Sequence, residues 1–253
     1  MTPRVTLFGY QLDALTMGQA VDRLETWIGS PERTCRYVVT PNVHHTVMYQ
    51  RHDGLRLAYR DASLVLADGM PIVLAGRLLR RGVPCRVTGS DLVPALFDRF
   101  GQRELSVYLL GAAPGVADRA AENIHARWPG VCVVGTYSPP LGFEHDMAEN
   151  TAILGRLSAA QPDVLVVGVG APKQELWVHA HHRQIDAKVA LCVGAAIDFL
   201  AGNKPRAPRW MQRAGLEWFH RMATEPRRLA RRYLHDAWYF PQLVCAEMLR
   251  GFA

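Results

Sequence analysis

The sequence predicts an α/β fold: a mostly parallel β-sheet with helices on both faces, followed by a basic helical appendage. Three observations predict it. Short apolar runs alternate with segments of helical periodicity, glycine-rich turns follow several of the runs, and the excess of Lys and Arg is confined to residues 203–253. Alternation of strands and helices is typical of a parallel sheet that helices cover on both faces.

The predicted strands are six short runs rich in Val and Leu. They cover residues 35–39, 64–67, 107–110, 131–134, 164–167 and 189–193. The predicted helices lie between them. The first covers residues 16–28, because Thr16 and Gln19 have the spacing of a capping box. The others cover residues 71–80, 90–100, 115–128, 151–160 and 172–183.

Charge divides the chain into two predicted parts. Of 29 basic and 23 acidic residues, ten basic and four acidic ones lie in residues 203–253, so residues 1–202 are balanced at 19 of each. We therefore predict an α/β body over residues 1–202 and a basic, aromatic helical appendage over residues 203–253. Helices are expected at residues 208–223 and 226–239. A basic appendage suggests a membrane surface, a phosphate-bearing substrate or nucleic acid as its partner.

The cellular location is predicted from what the sequence does not contain. No apolar run approaches the roughly 18 residues of a spanning helix, and no secretory signal is evident at the N-terminus. The five cysteines are scattered, without metal-ligand spacing. These features predict a reduced, cytoplasmic protein.

A glycine turn after the fifth predicted strand indicates a phosphate site. Gly168 and Gly170 follow the strand, and a helix is expected to begin near Pro172. Glycines let the backbone approach a ligand, and the free N–H groups of a helix start favour negative charge. The dinucleotide motif needs a third glycine where Lys173 stands. A nucleoside diphosphate is therefore a better candidate than NAD.

Polar residues follow the other predicted strands, at the sheet edge where such folds bind ligands. Asp68 comes directly after the second strand, and the residues alone suit either a general base or a cap of the helix near Pro71. Thr40 and Asn42 follow the first strand, where turn chemistry around Pro41 is the simpler interpretation.

Taken together, the strand-end segments resemble the WecG/TagA/CpsF family of bacterial glycosyltransferases in order and spacing. The segments are residues 40–42, 68–71, 111–115, 168–175 and 194–198. The resemblance continues through residues 86–92, 206–211, 215–218 and 225–227, and covers the chain from about residue 8 to residue 233.

The resemblance implies a Rossmann-like body and an inverting, metal-independent transfer without a cofactor. A hexose (N-acetylmannosamine, its uronic acid or glucose) would pass from a UDP-sugar to a polyprenyl-diphosphate-linked sugar, in cell-surface polysaccharide synthesis. The enzyme would lie on the inner face of the cytoplasmic membrane. Consistent with metal independence, the sequence has no Asp-x-Asp pair, so backbone N–H groups and cations would stabilise the leaving diphosphate.

The resemblance also implies residue roles. Asp68 would be the base, with Thr40 beside it as a second catalytic residue. Donor contacts are expected from Asn42, Gly111, Gly170, Lys173, Gln174 and Asp198. Contacts with the acceptor and its diphosphate are expected from Arg221, Arg228 and Arg231.

Three further features have simpler interpretations. His179, His181 and His182 are expected at a solvated helix end, because only two of them share a helix face. Glu175 is expected in the first turn of the same helix, where an acid favours the dipole. In the appendage, Arg228, Arg231, Arg232 and His235 recur at helical spacing as one basic stripe, suited to an anionic membrane surface or to solvent.

Other function classes stay open at this point. A nicotinamide-dependent oxidoreductase would explain the glycine turn, although Lys173 argues against it. A nucleic-acid-binding protein would explain the charge but not Asp68, so nucleic acid is not expected as a partner. A non-catalytic basic membrane-binding module would explain the basic appendage and would not need Asp68 for its function. The apolar surface of the appendage leaves a homo-oligomer open as well.

Overall fold

The computed structural model describes residues 4–250 except 102 and 214, with the backbone alone at 209, 213 and 228. It begins with an antiparallel hairpin of β1 (Arg4–Leu7) and β2 (Tyr10–Asp13), which the sequence analysis did not predict. A buried carboxylate ties this hairpin to the main sheet, because Asp13 Oδ2 accepts a hydrogen bond from the Val65 N–H at 2.9 Å.

The main sheet has six strands, all paired in parallel. The strands are β3 (Arg36–Val39), β4 (Leu64–Val65), β5 (Leu105–Gly111), β6 (Val131–Tyr137), β7 (Val164–Gly168) and β8 (Val189–Cys192). Their order across the sheet is β4-β3-β8-β7-β5-β6. All six predicted strands are confirmed, and with them the predicted α/β fold.

Helices cover both faces of this sheet. In the body they are α1 (Met17–Ile28), α2 (Val43–Tyr49), α3 (Asp53–Arg60), α4 (Met70–Leu78), α5 (Gly89–Arg99), α6 (Val116–Arg127), α7 (Met147–Ala160), α8 (Lys173–His181) and α9 (Ala196–Leu200). A short 3₁₀ turn, Phe143–His145, precedes α7. The predicted capping box at Thr16 is present. The sequence analysis did not predict α2, α3 and α9.

Two apolar layers form the core, one on each face of the sheet. Along β7, Val164 and Val166 belong to the layer under α1, α5 and α6, whereas Leu165 and Val167 belong to the layer that includes the hairpin and α8. A strand buried on both faces is therefore apolar at every position, which is the pattern that made these runs recognisable in the sequence.

After Gly202 the chain forms α10 (Arg209–Arg213), α11 (Glu217–Thr224) and α12 (Pro226–Arg250). The predicted single helix over 208–223 is wrong, because the chain turns at Gly215 with φ +74°. A Cβ there would lie 2.8 Å from the Met70 side chain, so glycine permits the close approach of this turn to α4. The second predicted helix continues to Arg250, through Pro241.

The long helix α12 packs on the body. Leu229 and Asp236 are buried, the ring of Phe240 lies 5.3 Å from that of Phe8, and the Arg51 guanidinium lies 4.5 Å from the ring centre of Tyr239. None of the helices in the described part of the chain combines the length and the hydropathy needed to span a bilayer. The division into a body and an appendage at residue 202 stays a prediction.

Candidate active site

The candidate site lies at the carboxyl ends of β4, β3, β8 and β7, which are neighbours in the sheet. Parallel strands place the residues that follow them along one edge, where α/β proteins bind ligands. Helices α11 and α12 cover this edge and leave two adjoining cavities, which we call the polar cavity and the aromatic cavity.

The polar cavity measures about 270 Å³ and is lined by the turns after the strands. Its backbone contribution comes from Gly168, Val169 and Gly170 after β7 and from Gly194 after β8. Its polar and charged side chains are Thr40, Asn42, His44, His45, Asp68, Gln174, Asp198, Lys204, Arg221 and Arg232.

The aromatic cavity measures about 420 Å³ and lies between α4 and the C-terminal helices. Its apolar lining is Val43, Met70, Pro71, Phe199, Trp218, Tyr233, Ala237, Phe240 and Pro241. The two cavities share five lining residues, namely Asn42, His44, Asp68, Arg221 and Arg232. A ligand in either cavity would therefore contact the same wall.

Asp68 belongs to this shared wall. Its backbone N–H donates to Pro41 O at 2.9 Å, and Gly69, with φ +107°, is the cap of α4 and makes no side-chain capping bond. Asp68 is therefore not the helix cap that the sequence left as an alternative. Among the described residues, none forms a hydrogen bond with its carboxylate, which opens onto both cavities.

The surroundings of Asp68 make it a weaker acid than an ordinary aspartic acid. Burial is the largest effect and raises its pKa to about 7; the nearby negative charge of Glu217 acts in the same direction. The positive charges of Arg221 and Arg86 oppose the increase. A carboxylate with a pKa near neutrality suits proton transfer at physiological pH.

Thr40 and Asn42 line the polar cavity with Asp68, and each side chain also forms a hydrogen bond within the protein. Thr40 Oγ1 donates to Cys192 O at 3.3 Å, so it joins β3 to β8. Asn42 Oδ1 accepts from the His45 N–H at 3.2 Å and caps α2. The capping bond of Asn42 agrees with the simpler interpretation from the sequence, a role in local chain geometry. The Asn42 side chain also lines both cavities.

Gln174 holds the floor of the polar cavity. It is 1% exposed, its Oε1 accepts from the Gly194 N–H at 3.1 Å, and its Nε2 donates to Glu175 Oε1 at 2.8 Å. The side chain thus ties the turn after β7 to the turn after β8. Gly111 packs behind the first turn, where a Cβ would lie 2.5 Å from the carbonyl carbon of Gly168, and it lines neither cavity.

Lys173 points away from the polar cavity. Its Nζ lies 3.3 Å from Glu144 Oε1, and it lines a separate cavity of about 450 Å³ with His52 and His181. The structure therefore does not bring Lys173 and Gly111 together with Asp68. Asp198 does line the polar cavity, where its Oδ1 lies 4.0 Å from the Nζ of Lys204.

The three arginines predicted to contact the acceptor differ in their positions relative to the cavities. Arg221 lines both cavities, whereas Arg231 is exposed and lines neither. Arg228 lies in α12, but its side chain is outside the described part of the chain. Arg232, predicted only as part of the basic stripe, instead lines both cavities. One step along a helix is a rotation of about 100°, which separates Arg232 from the exposed Arg231.

A cluster of four charged side chains next to Asp68 was not assigned a role from the sequence. Arg86 Nη1 lies 3.2 Å from Glu217 Oε2, and Arg86 Nη2 lies 3.6 Å from Asp91 Oδ2. Arg206 bonds to Asp91 as well, and its Nε lies 3.8 Å from Glu217 Oε1. These residues all belong to segments that carry the family resemblance, which was the available signal.

Behind the polar cavity, Glu175 is completely buried in the first turn of α8. Burial raises its pKa to about 7, and its Oε2 has no hydrogen bond with any described group. The neighbouring His45, whose Nδ1 lies 3.1 Å from the Tyr59 hydroxyl, has its pKa lowered to about 3 by burial. Burial therefore favours the neutral form of Glu175 and opposes the predicted interaction of a charged Glu175 with the helix dipole.

The three histidines at the end of α8 are partly exposed, and each also has a polar partner within the protein. His179 Nε2 lies 2.9 Å from Asp61 Oδ2, His181 Nδ1 donates to Trp177 O, and His182 Nδ1 donates to His179 O. Each is partly buried. They do not form a group of three metal-ligating side chains, nor do other residues that the structure describes.

Comparisons with known proteins identify the family of the chain. The model of a family described as "Glycosyl transferase WecG/TagA/CpsF family" matches residues 5–252. A Staphylococcus aureus (strain MRSA252) protein named N-acetylglucosaminyldiphosphoundecaprenol N-acetyl-beta-D-mannosaminyltransferase is 28% identical over 230 residues, 91% of this chain and 88% of that protein. The protein of the same name from strain NCTC 8325 / PS 47 is 27% identical over the same shares of the two chains.

Proposed function

Because the chain belongs to the WecG/TagA/CpsF family of glycosyltransferases, we propose that it transfers a hexose, with inversion, from a UDP-sugar to a polyprenyl-diphosphate-linked sugar. The observation that carries this proposal is the position of Asp68. Its carboxylate has no hydrogen bond with a described residue and lies in the wall shared by the polar and aromatic cavities. A general base must be within hydrogen-bond reach of the acceptor hydroxyl, and that hydroxyl must itself approach the donor, so the base belongs where the two binding sites meet.

In this proposal the polar cavity binds the donor and the aromatic cavity binds the acceptor. The glycine turns and the cations Lys204, Arg221 and Arg232 suit a nucleoside diphosphate. Trp218, Tyr233 and Phe240 suit a sugar ring and the first isoprene units of a lipid. The relatives named above act on a lipid-diphosphate-linked N-acetylglucosamine, which favours an acceptor of this class.

The reaction follows from these positions. Asp68 takes the proton of the acceptor hydroxyl as its oxygen forms a bond to the anomeric carbon of the donor, and the bond from that carbon to the phosphate oxygen breaks. The electron pair leaves with UDP. Attack from the side opposite to the leaving group inverts the anomeric centre. General-base assistance of this kind contributes about 10²–10⁴-fold.

The leaving diphosphate is stabilised, in the same proposal, by fixed positive groups and without a metal ion. Arg221 and Arg232 are in the shared wall, and Lys204 lines the polar cavity close to Asp198. Groups held in place before the reaction stabilise developing charge at no cost of reorganisation. The names of the relatives favour N-acetylmannosamine as the hexose, with its uronic acid and glucose as the other candidates.

We also propose peripheral association with the inner face of the cytoplasmic membrane. The outer side of α12 has exposed Leu234, Trp238 and Leu249 in one stripe, with Arg227, Arg231 and Arg250 exposed on the same helix. Apolar and basic residues together favour an anionic lipid surface, where each basic residue contributes about 1 kcal/mol. Such a position would bring the aromatic cavity close to a lipid-linked acceptor.

Family membership favours a transferase over the oxidoreductase, the nucleic-acid-binding protein and the non-catalytic module. The experiment that tests the proposal is a transfer assay in EDTA, with UDP-N-acetylmannosamine, its uronic acid form, UDP-glucose and a GDP-sugar as donors and a short-chain prenyl-diphosphate N-acetylglucosamine as acceptor. Transfer from one UDP-sugar would support the proposal. Transfer from the GDP-sugar alone, or only after Mg²⁺ is added, would contradict it.

A further inference from the structure

A buried carboxylate holds a histidine at the wall between the two cavities. His44 is the second residue of α2, and its Nδ1 lies 3.0 Å from each carboxylate oxygen of Asp236 in α12. Asp236 is 3% exposed. A carboxylate accepts hydrogen bonds and does not donate them, so Nδ1 is the nitrogen that carries the proton. The other ring nitrogen, Nε2, is left for a ligand.

The position of His44 makes Nε2 available to both cavities. The residue lines the polar and the aromatic cavity, its side chain is 26% exposed, and within the described residues Nε2 has no hydrogen bond. Arg221 and Arg232 line the same wall, and Arg232 Nε is buried without a hydrogen-bond partner in the described part of the chain. Three potential donors to an anion thus converge beside Asp68.

We propose that His44 binds a substrate diphosphate through its Nε2–H, and that Asp236 is the positioning residue that fixes its ring. An imidazolium ring between Asp236 and a phosphate oxygen donates one charge-assisted hydrogen bond to each anion. The inference rests on the proposed function, in which the UDP-sugar and the lipid-linked acceptor each carry a diphosphate. No proton is transferred in this contact.

The surroundings of His44 contain other charged and titratable groups. From α12 they are Asp236, Arg232 and His235, from α2 His45, from α11 Arg221, and after β4 Asp68. Two of these groups, Arg221 and Arg232, are fixed cations, and together with His44 they offer three donors to one anion.

A purely structural role is the alternative, because the same contact joins α2 to α12. Asparagine separates the two roles, since its side-chain amide can donate to Asp236 but has no group in the position of Nε2. Glutamine reaches further and offers a neutral donor near that position. His235 provides a matched control: its Nδ1 lies 3.5 Å from the same carboxylate, but it lines neither cavity.

The experiment is calorimetric titration of the full chain and its His44→Asn, His44→Gln, Asp236→Asn and His235→Asn variants with UDP and, separately, with farnesyl diphosphate. Each variant is first checked for an unchanged circular dichroism spectrum. His44→Asn is expected to lower the affinity for at least one of the two ligands about 10-fold, as for loss of a charge-assisted hydrogen bond. A lower affinity for UDP would show that His44 contacts the donor diphosphate, and a lower affinity for farnesyl diphosphate would show that it contacts the acceptor diphosphate.

The other variants separate the ring from its partner. His44→Gln is expected to recover part of the affinity, Asp236→Asn to weaken binding, and His235→Asn to change the affinity less than about twofold.

Equal affinities of the wild type and His44→Asn for both ligands would overturn the role of His44 and leave the proposed function standing. The role would also be overturned by an equal loss in His235→Asn. Wild-type protein that binds neither diphosphate would overturn both proposals.

Discussion

Arg86 Nη1 lies 3.2 Å from Glu217 Oε2, which fastens α11 to the segment before α5 at the edge of the aromatic cavity. Both partners act on the nearby Asp68: the charge of Glu217 raises its pKa and the charge of Arg86 lowers it. The contact that holds the covering helix in place therefore also tunes the proposed base.

The first prediction concerns this tuning. Glu217→Gln removes a negative charge near Asp68, so the pKa of Asp68 should fall from about 7. Because the base must be ionised, activity is lost as pH falls through that pKa. The acidic limb of the kcat/KM profile is thus expected to move to lower pH in this variant.

Glu104→Gln is the control for that experiment, because Glu104 is exposed and lines neither cavity. Its acidic limb should coincide with that of the wild type. A Glu217→Gln limb that moves to higher pH would show that Glu217 does not repel the charge of Asp68.

The second prediction concerns stability and pH. Burial raises the pKa of Glu175 from 4.5 to about 7, so the folded state holds this proton more tightly than the unfolded state. The stability that this gives is present below about pH 4.5 and is lost as pH rises through 7. Glu175→Gln avoids the loss. Its Tm relative to the wild type should therefore be higher at pH 8 than at pH 5, with about 3 kcal/mol as an upper bound.

The measurement is thermal unfolding of both proteins at the two pH values. Since Asp68 and His45 are the same in both proteins, their own titrations largely cancel in the difference. A Tm difference between the two proteins that does not depend on pH would contradict a raised pKa of Glu175 in the folded protein.

The third prediction concerns the turn after β7. A Cβ at Gly168 would lie 2.7 Å from Gly194 O, a backbone atom held in its own turn. Gly168→Ala is expected to lower the free energy of unfolding by about 1–3 kcal/mol and to weaken UDP binding, because the floor of the polar cavity shifts. Denaturant unfolding and calorimetry measure the two effects.

Gly155→Ala is the matched control, since Gly155 lies inside α7 with no atom within 4 Å of the added Cβ. Alanine there should raise the free energy of unfolding by about 0.5–1 kcal/mol. Equal effects of the two substitutions would contradict the close packing of the two turns.

The fourth prediction concerns the lipid surface. Trp238 is 71% exposed on α12, in the apolar stripe with Leu234 and Leu249. Trp238→Ser should reduce binding to phosphatidylglycerol vesicles several-fold in a flotation assay, because an interfacial aromatic residue is lost. Leu141→Ser is the control, since Leu141 is 98% exposed outside the C-terminal helices. A loss of the same size in both variants would contradict a specific role for α12.

The sequence predicted most of the sheet and about half of the site. Strands such as β7 were recognisable because burial on both faces makes them apolar throughout. The hairpin was not, because Phe8 and Gly9 in its two-residue turn both have positive φ angles, 54° and 87°, and Phe is uncommon at the first of these positions, where Asn, Asp or Gly marks such a turn. The helix α2 was missed because its buried residues, His45, Thr46 and Val47, are consecutive and form no apolar stripe. The helix α3 does have such a stripe, in Leu55, Ala58 and Tyr59, but its eight residues are fewer than the stretch over which helical periodicity is reliably recognised.

Site residues that follow strands were predictable because strand ends meet at one edge. Residues on helices were predicted only in part: Gln174, Asp198 and Arg221 were expected and line the polar cavity. The resemblance indicated Arg231 and not Arg232, because the rotation of α12 about its axis is set by its packing on the body. His44 and its partner Asp236 were missed because they are 192 residues apart in the chain. The start of α8 near Pro172 was predicted, but the direction of the Lys173 side chain was not, because it is set by the ion pair with Glu144, 29 residues earlier in the chain.

The central claim is that Asp68 is the base between the two substrates. The measurement that tests it most directly is steady-state turnover of Asp68→Asn, together with UDP binding by calorimetry and with Asp53→Asn, whose side chain is 90% exposed, as the control. We predict that kcat falls by about 10²-fold or more while UDP affinity stays within about twofold. Full turnover in Asp68→Asn would contradict the claim.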